Sequence, residues 1–275
     1  MKVVFFGSGN RALSVIDTLK KEFDVTVFTT EKEKEHELIK YCAQNNLPCI
    51  SFSSFSSDIK EKLAEIKADF GFVASFRLIL PRDILDLFPK GVLNAHPSLL
   101  PKYRGATPGQ SAILNGDKTT GVSIIKLDEK MDHGPILWQK EEEIQKDDTG
   151  NSLYERLFKL AADSLLEVTN SYLKGSLTSV EQDDKEATFV SKLNRDSGYI
   201  DPKNPPKPEA LERMIRAYFR WPGVWTKINL DSKGEKIIKL LPENMLQVEG
   251  KNPMTLKDFK NGYPLSYNKI TRILG

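Results

Sequence analysis

Asn94, His96 and Asp132 are the residues whose types and placement could carry out chemistry together. Asn94 and His96 stand two apart in the apolar run GVLNAH (91–96), so strand alternation turns both side chains to one face. Pro97 ends the strand directly after them and helps place the pair at its carboxyl edge, which in open α/β sheets is where ligands bind. An amide two residues from the imidazole can donate its N–H to a developing oxyanion. Asp132, in KMDHGPIL after the run GVSIIKL (121–127), could orient that imidazole and stabilise its charged form. Each residue has a plainer reading when taken alone. A strand-end histidine is commonly a structural hydrogen-bonder, and an aspartate two before Gly134 suits a turn. It is the combination that points to chemistry.

A second motif competes. FGSGNRA near the N-terminus matches G-x-G-x-x-A after a strand and before a helix, with Glu31 near the end of the next strand where a ribose-binding acid would stand. That pattern would suit an NAD-dependent oxidoreductase. The plainer reading is that Gly7 and Gly9 only make the tight strand-to-helix turn, and it is preferred because the motif stands alone.

The elements that must position these residues alternate. KVVFFG (2–7), DVTVFT (24–29), PCISF (48–52) and DFGFVA (69–74) read as strands, separated by helical patterns over 10–20, near 32–46 and over 57–67. That alternation predicts an α/β fold, Rossmann-like, with a mostly parallel sheet covered on both faces. GVLNAH and GVSIIKL supply further strands, with SAILNG helical between them, and 151–173 reads as a long closing helix with its N-cap in the preceding Asp-Asp-Thr-Gly-Asn. Residues 1–180 form the expected catalytic domain. The polar, proline-rich 181–208, which includes DPKNPPKP, reads as a linker, and 209–275 as a small β-rich domain, OB-like but reduced, opened by the amphipathic helix PEALERMIRAYF.

Composition excludes several classes. No apolar run approaches the roughly 20 residues of a membrane span, and the first residues do not resemble a signal peptide, so a cytoplasmic protein is expected. Cys42 and Cys49 are spaced for neither a zinc knuckle nor a redox CxxC and read as packing thiols. Three histidines without clustered cysteines suggest no metal site. The net charge of +2 is unevenly spread: residues 200–275 hold 14 Lys and Arg against 8 Asp and Glu, net +6, leaving 26 against 30, net −4, in residues 1–199. Such a tail suits a polyanion or is simply a solvated basic surface. Arg213, Arg216 and Arg220 recur at spacings that would line one helical face, where they would either meet phosphates or pair with Glu209 and Glu212.

At these residues the chain resembles the folate-dependent formyltransferase family. The resemblance lies in the N-x-H pair with its attached SLLP (Asn94, His96 and Ser98 to Pro101), in KYRG (102–105), in GVSIIKLDEKMDHG ending past Asp132, and in SFRLILP (75–81). It implies 10-formyltetrahydrofolate as formyl donor, with Phe76, Leu78, Ile79 and Leu80 and then Ser98, Leu99, Leu100 and Pro101 around the pterin, which backbone groups would largely hold. It implies Asn94, His96 and Asp132 as catalytic residues, with His133 a bystander. In the tail, IRAYFRWPGVWTKI resembles a region shared by the tRNA- and sugar-modifying branches, and LQVEGKNPM resembles the ending of the methionyl-tRNA branch. The acceptor implied is therefore initiator methionyl-tRNA, met by Arg104, Gly105, Arg213, Arg216 and Arg220, in a monomer that needs no membrane. Sugar N-formylation is the alternative, because TTEKEKEHELIKYC (29–42) is short and of mixed charge where the tRNA branch carries a basic loop. An inactive RNA-binding relative is a third reading.

Overall fold

The computed structural model describes residues 1–30, 36–231 and 234–275; Glu31 and the start of the helical stretch expected near 32–46 lie outside them. The chain divides into two compact units. The first comprises 1–108, 119–143 and 154–190; the second comprises 109–118, 144–153 and 191–275. The first unit thus runs on into the segment read from sequence as a linker.

In chain order the first part of the molecule contains β1 (Lys2–Gly7), α1 (Leu13–Leu19), β2 (Asp24–Thr29), α2 (Glu37–Gln44), β3 (Cys49–Ser51), α3 (Ser57–Ile66), β4 (Phe70–Ala74), α4 (Arg82–Leu85) and β5 (Val92–His96). There follow β6 (Arg104–Gly105), α5 (Pro108–Asn115), β7 (Thr119–Lys126), β8 (Ile136–Glu143), the 24-residue α6 (Gly150–Leu173) and β9 (Phe189–Val190). Seven strands form one sheet in the order β3-β2-β1-β4-β5-β7-β8. It is parallel from β3 to β5 and antiparallel from β5 to β8. The mostly parallel Rossmann-like sheet expected from the alternation is therefore present, with an antiparallel edge. β8 escaped the sequence reading because its second half, QKEEE, is polar and mostly exposed, as suits an edge strand.

The central strands are apolar on both sides, and every residue of β4 and β5 is buried. Against one face sits a phenylalanine-rich core in which the Phe6 ring meets those of Phe28, Phe55, Phe76 and Phe88 at centroid distances of 5.8, 6.2, 5.7 and 6.0 Å. Burying one such ring contributes roughly 1.5–3 kcal/mol. The core reaches out to the loop after β4: Leu80 belongs to it, and Phe76 and Leu78 pack onto it. Gly9, at φ 73°, turns the chain from β1 into the short 3-10 turn before α1, a backbone geometry that L-residues rarely adopt.

The second unit holds α7 (Pro208–Ala217), β10 (Val224–Asn229), β11 (Glu235–Leu241), β12 (Met245–Val248), β13 (Met254–Thr255), α8 (Leu256–Gly262) and α9 (Tyr267–Leu274). Its four strands pair antiparallel in sequence order. Pro at the start of α7 uses a position whose N–H has no helical partner. α8 and α9 are additions to the expected β-rich tail, each too short for periodicity to announce. α8 carries a local signal nonetheless: a capping box in which Thr255 and Asp258 bond each other's backbone N–H.

Candidate active site

Asn94 and His96 occupy the last turns of the β5 pleat, at 8% and 4% exposure, between Val73 of β4 and the residues Ile125 and Ser123 of β7. The loop joining β7 to β8 brings Asp132 to them. Its Oδ1 accepts from Asn94 Nδ2 at 3.2 Å, its Oδ2 accepts from the Gly105 N–H at 2.9 Å, and the same Oδ2 lies 3.5 Å from His96 Nδ1. On its far side the imidazole points Nε2 at the Tyr103 carbonyl, 3.0 Å away. A carbonyl only accepts, so Nε2 carries hydrogen, which leaves Nδ1 as the nitrogen facing the Asp132 carboxylate. The aspartate expected to orient the histidine lies 3.5 Å from its ring; the closer contact to that ring is the Tyr103 carbonyl, which no side-chain pattern could announce.

Asp132 itself sits at φ 49°, the left-handed region, where a non-glycine backbone must be held in place. Gln182 holds it: its Nε2 donates to the carbonyls of Asp132 and Gly134 at 2.9 and 2.8 Å. Arg104, expected to meet substrate, is only 3% exposed and directs Nε and Nη2 to Gln182 Oε1 at 3.0 and 2.9 Å and Nη1 to Asp184 at 2.9 Å. Gly105 gives its N–H to Asp132. Both residues therefore serve the frame of the site in this structure. Gln182 and Asp184 lie in the polar stretch that sequence reading passed over, since neither belongs to a periodic pattern or motif.

The two segments expected around a pterin differ in how they are built. In the loop after β4, Leu80 is buried and Phe76 and Leu78 pack onto the core, whereas Ile79 is exposed. In 98–101, Ser98 Oγ donates to the Lys102 carbonyl at 2.6 Å, and the Leu100 N–H donates to Ser123 Oγ at 3.0 Å. Ser123 in turn donates to the Ser98 carbonyl at 2.6 Å, and Gln139 Nε2 donates to the Leu100 carbonyl at 2.7 Å. Leu99 is half-buried over Gly121 and the Leu100–Pro101 bond is cis. Ser123 and Gln139 thus shape the segment, and several of its backbone groups are already engaged.

The expected arginine stripe requires correction. α7 ends at Ala217, so Arg220 lies beyond it, at φ 71°, and cannot continue a helical face. Of the two on the helix, Arg213 donates through Nε to the Leu114 carbonyl at 3.0 Å, and Arg216 pairs with Glu212 and donates to the Asp148 carbonyl at 2.9 Å. Arg220 alone of the three is exposed.

Residues 1–169 match the family model described as formyl transferase. The chain belongs to the formyl transferase family. It is 46% identical over 165 residues to the methionyl-tRNA formyltransferase of Roseiflexus sp. (strain RS-1), covering 60% of this chain and 50% of that protein. It is 32% identical over 274 residues to the methionyl-tRNA formyltransferase of Akkermansia muciniphila, covering 95% of this chain and 87% of that one. The alignments to the Roseiflexus relatives span about half their length. Among solved structures, a sugar N-formyltransferase from Shewanella sp. superposes with a TM-score of 0.70 at 18% identity, over 88% of this chain and 96% of that one. At that identity the likeness speaks for fold.

Proposed function

We propose that the chain transfers the formyl group of 10-formyltetrahydrofolate to the free amino group of initiator methionyl-tRNA. The observation that carries formyl transfer is the cluster in which the half-buried Asp132 joins the buried Asn94 and His96 at the carboxyl edge of β5. The acceptor's neutral amine attacks the formyl carbon, and the resulting oxyanion is held by the Asn94 amide, a contact worth on the order of a hundredfold in rate. The amine's proton passes to His96 Nδ1, where the Asp132 carboxylate balances the charge. As the C=O reforms, the C–N10 bond breaks and the proton leaves His96 for N10 of tetrahydrofolate. The pterin rests against the segments of Phe76 to Leu80 and Ser98 to Pro101, and Arg220 meets acceptor phosphate. The unit that runs on to residue 190, with Gln182 and Asp184 in its frame, carries the chemistry, and 209–275 add to acceptor binding.

The names of the Akkermansia and Roseiflexus relatives support the tRNA acceptor. The second reading, an amino-sugar nucleotide as acceptor, is favoured by Arg213 and Arg216 being bonded within the chain. One experiment separates them: incubation with 10-formyltetrahydrofolate and either methionyl-tRNA or an amino-sugar nucleotide, following tetrahydrofolate release. Release with the tRNA alone supports the first reading; release with the sugar alone replaces it. No release with either overturns formyl transfer.

A further inference from the structure

The loop that presents Asp132 carries, one residue on, a histidine clasped between two carboxylates. His133 Nδ1 lies 2.5 Å from Asp128 Oδ2, and its Nε2 lies 3.5 Å from Asp184 Oδ2. Asp128 belongs to the near end of the same loop, and its other oxygen accepts the Lys130 N–H at 3.0 Å. Asp184 comes from the distant segment between α6 and β9, and its Oδ1 binds Arg104 at 2.9 Å. Arg104 closes the circuit on Gln182, which donates to the carbonyls on either side of His133. Asp132, His133 and Gly134 are therefore gripped by side chain and backbone at once. Arg104's hydrogen bond first, and His133 and Lys130 in addition, hold the Asp184 carboxyl below its ordinary range, so it stays charged as a partner.

We infer that His133 is a positioning residue: by bridging Asp128 and Asp184 it holds the left-handed backbone at Asp132 so that the carboxylate faces His96. The ring meets both carboxylates with its two nitrogens, one at hydrogen-bond distance and one at 3.5 Å, a pairing that an apolar side chain cannot make. The contact it protects is the longest in the cluster, the 3.5 Å between Asp132 and His96 Nδ1, and so the one with least margin for loop movement. The inference rests on the proposed catalytic role of Asp132, and it is chosen to be testable without turnover.

The test uses His133→Phe, which keeps the ring's bulk but removes both contacts, and His133→Arg, whose forked guanidinium can reach two carboxylates. Asp128→Asn is the second variant should His133→Phe fail to fold, since it weakens one contact and leaves packing intact. Thermal melting establishes folding, and the 15N resonances of the His96 ring, in imidazole-labelled protein without substrate, report the Asp132 contact. Turnover with 10-formyltetrahydrofolate and methionyl-tRNA reports kcat and KM. His133→Phe is expected to shift the His96 Nδ1 resonance and lower kcat roughly tenfold or more with folate KM within about twofold, and His133→Arg to restore most of both. An unmoved His96 resonance in folded His133→Phe or Asp128→Asn overturns the inference, as does a lowered melting temperature with unchanged kcat. Were the wild type inactive with either acceptor, the resonance shift would still decide the clasp while the activity reading failed separately.

Discussion

At position 132 one carboxylate serves three neighbours: the Asn94 amide, the Gly105 N–H and, farther off, the His96 ring. Asp132→Asn keeps the volume but turns one acceptor into a donor facing donors, and it removes the charge that balances a protonated His96. Its expected effect is a fall in kcat of a hundredfold or more with little change in KM, read by steady-state kinetics; a pure KM effect would reassign Asp132 to substrate placement. Asn94→Ala should lose a comparable factor while melting near the wild-type temperature. The two thiols make a second residue-scale prediction. The Cys49 thiol is held below its ordinary range by the hydrogen bond from Cys42, and that same bond, with burial, pushes Cys42 up. Near neutral pH, iodoacetamide should therefore label Cys49 first, with Cys42 slow to react; mass spectrometry showing Cys42 labelled first would contradict the pairing.

At the scale of elements, the site depends on a two-residue ladder. β6 and β9 pair Arg104 with Phe189 and Gly105 with Val190, which brings the Gly105 N–H under Asp132. A Cβ at Gly105 would fall 2.2 Å from the Val190 carbonyl oxygen, at a φ of 119° that other residues avoid. Gly105→Ala should destabilise the protein by roughly 2 kcal/mol or more in urea titration and depress kcat as well. Gly175→Ala, where no atom lies within 4 Å of the added carbon, separates crowding from the shared cost of a positive φ. Equal losses in the two variants would show that the ladder is not what Gly105 protects. Ser123, fully buried in β7, likewise joins Ser98, Leu100 and Gln139, so it ties strand to loop through one hydroxyl.

For the molecule as a whole, the question is where its uneven charge acts. The +6 tail counts arginines that the fold has already used: Arg213 and Arg216 bond chain carbonyls, and Arg220 stands exposed beside the Phe219 ring. If tRNA is the acceptor, Arg220→Gln should weaken binding and shallow the dependence of log Kd on log salt by about one unit without changing folate KM. Arg216→Gln should instead lower stability, because it strips a partner from Glu212 and the Asp148 carbonyl. An unchanged slope in the Arg220 variant would count against phosphate binding there.

Much of this was legible in order along the chain. Alternating apolar runs specify the α/β sheet because strands buried on both faces must be continuously apolar, and the two-residue step from Asn94 to His96 puts both on one face whatever surrounds them. The strand β8 was not legible, since an edge strand with one wet half lacks that signature. Nor were the Tyr103 carbonyl against His96, Gln182 beneath Asp132, or His133 between its two aspartates, which join positions up to 51 residues apart through backbone atoms and unpatterned polar side chains. Periodicity reports which face a residue shares with its own element. Which distant groups meet that face is decided only when sheet order and loop paths bring them within hydrogen-bond reach.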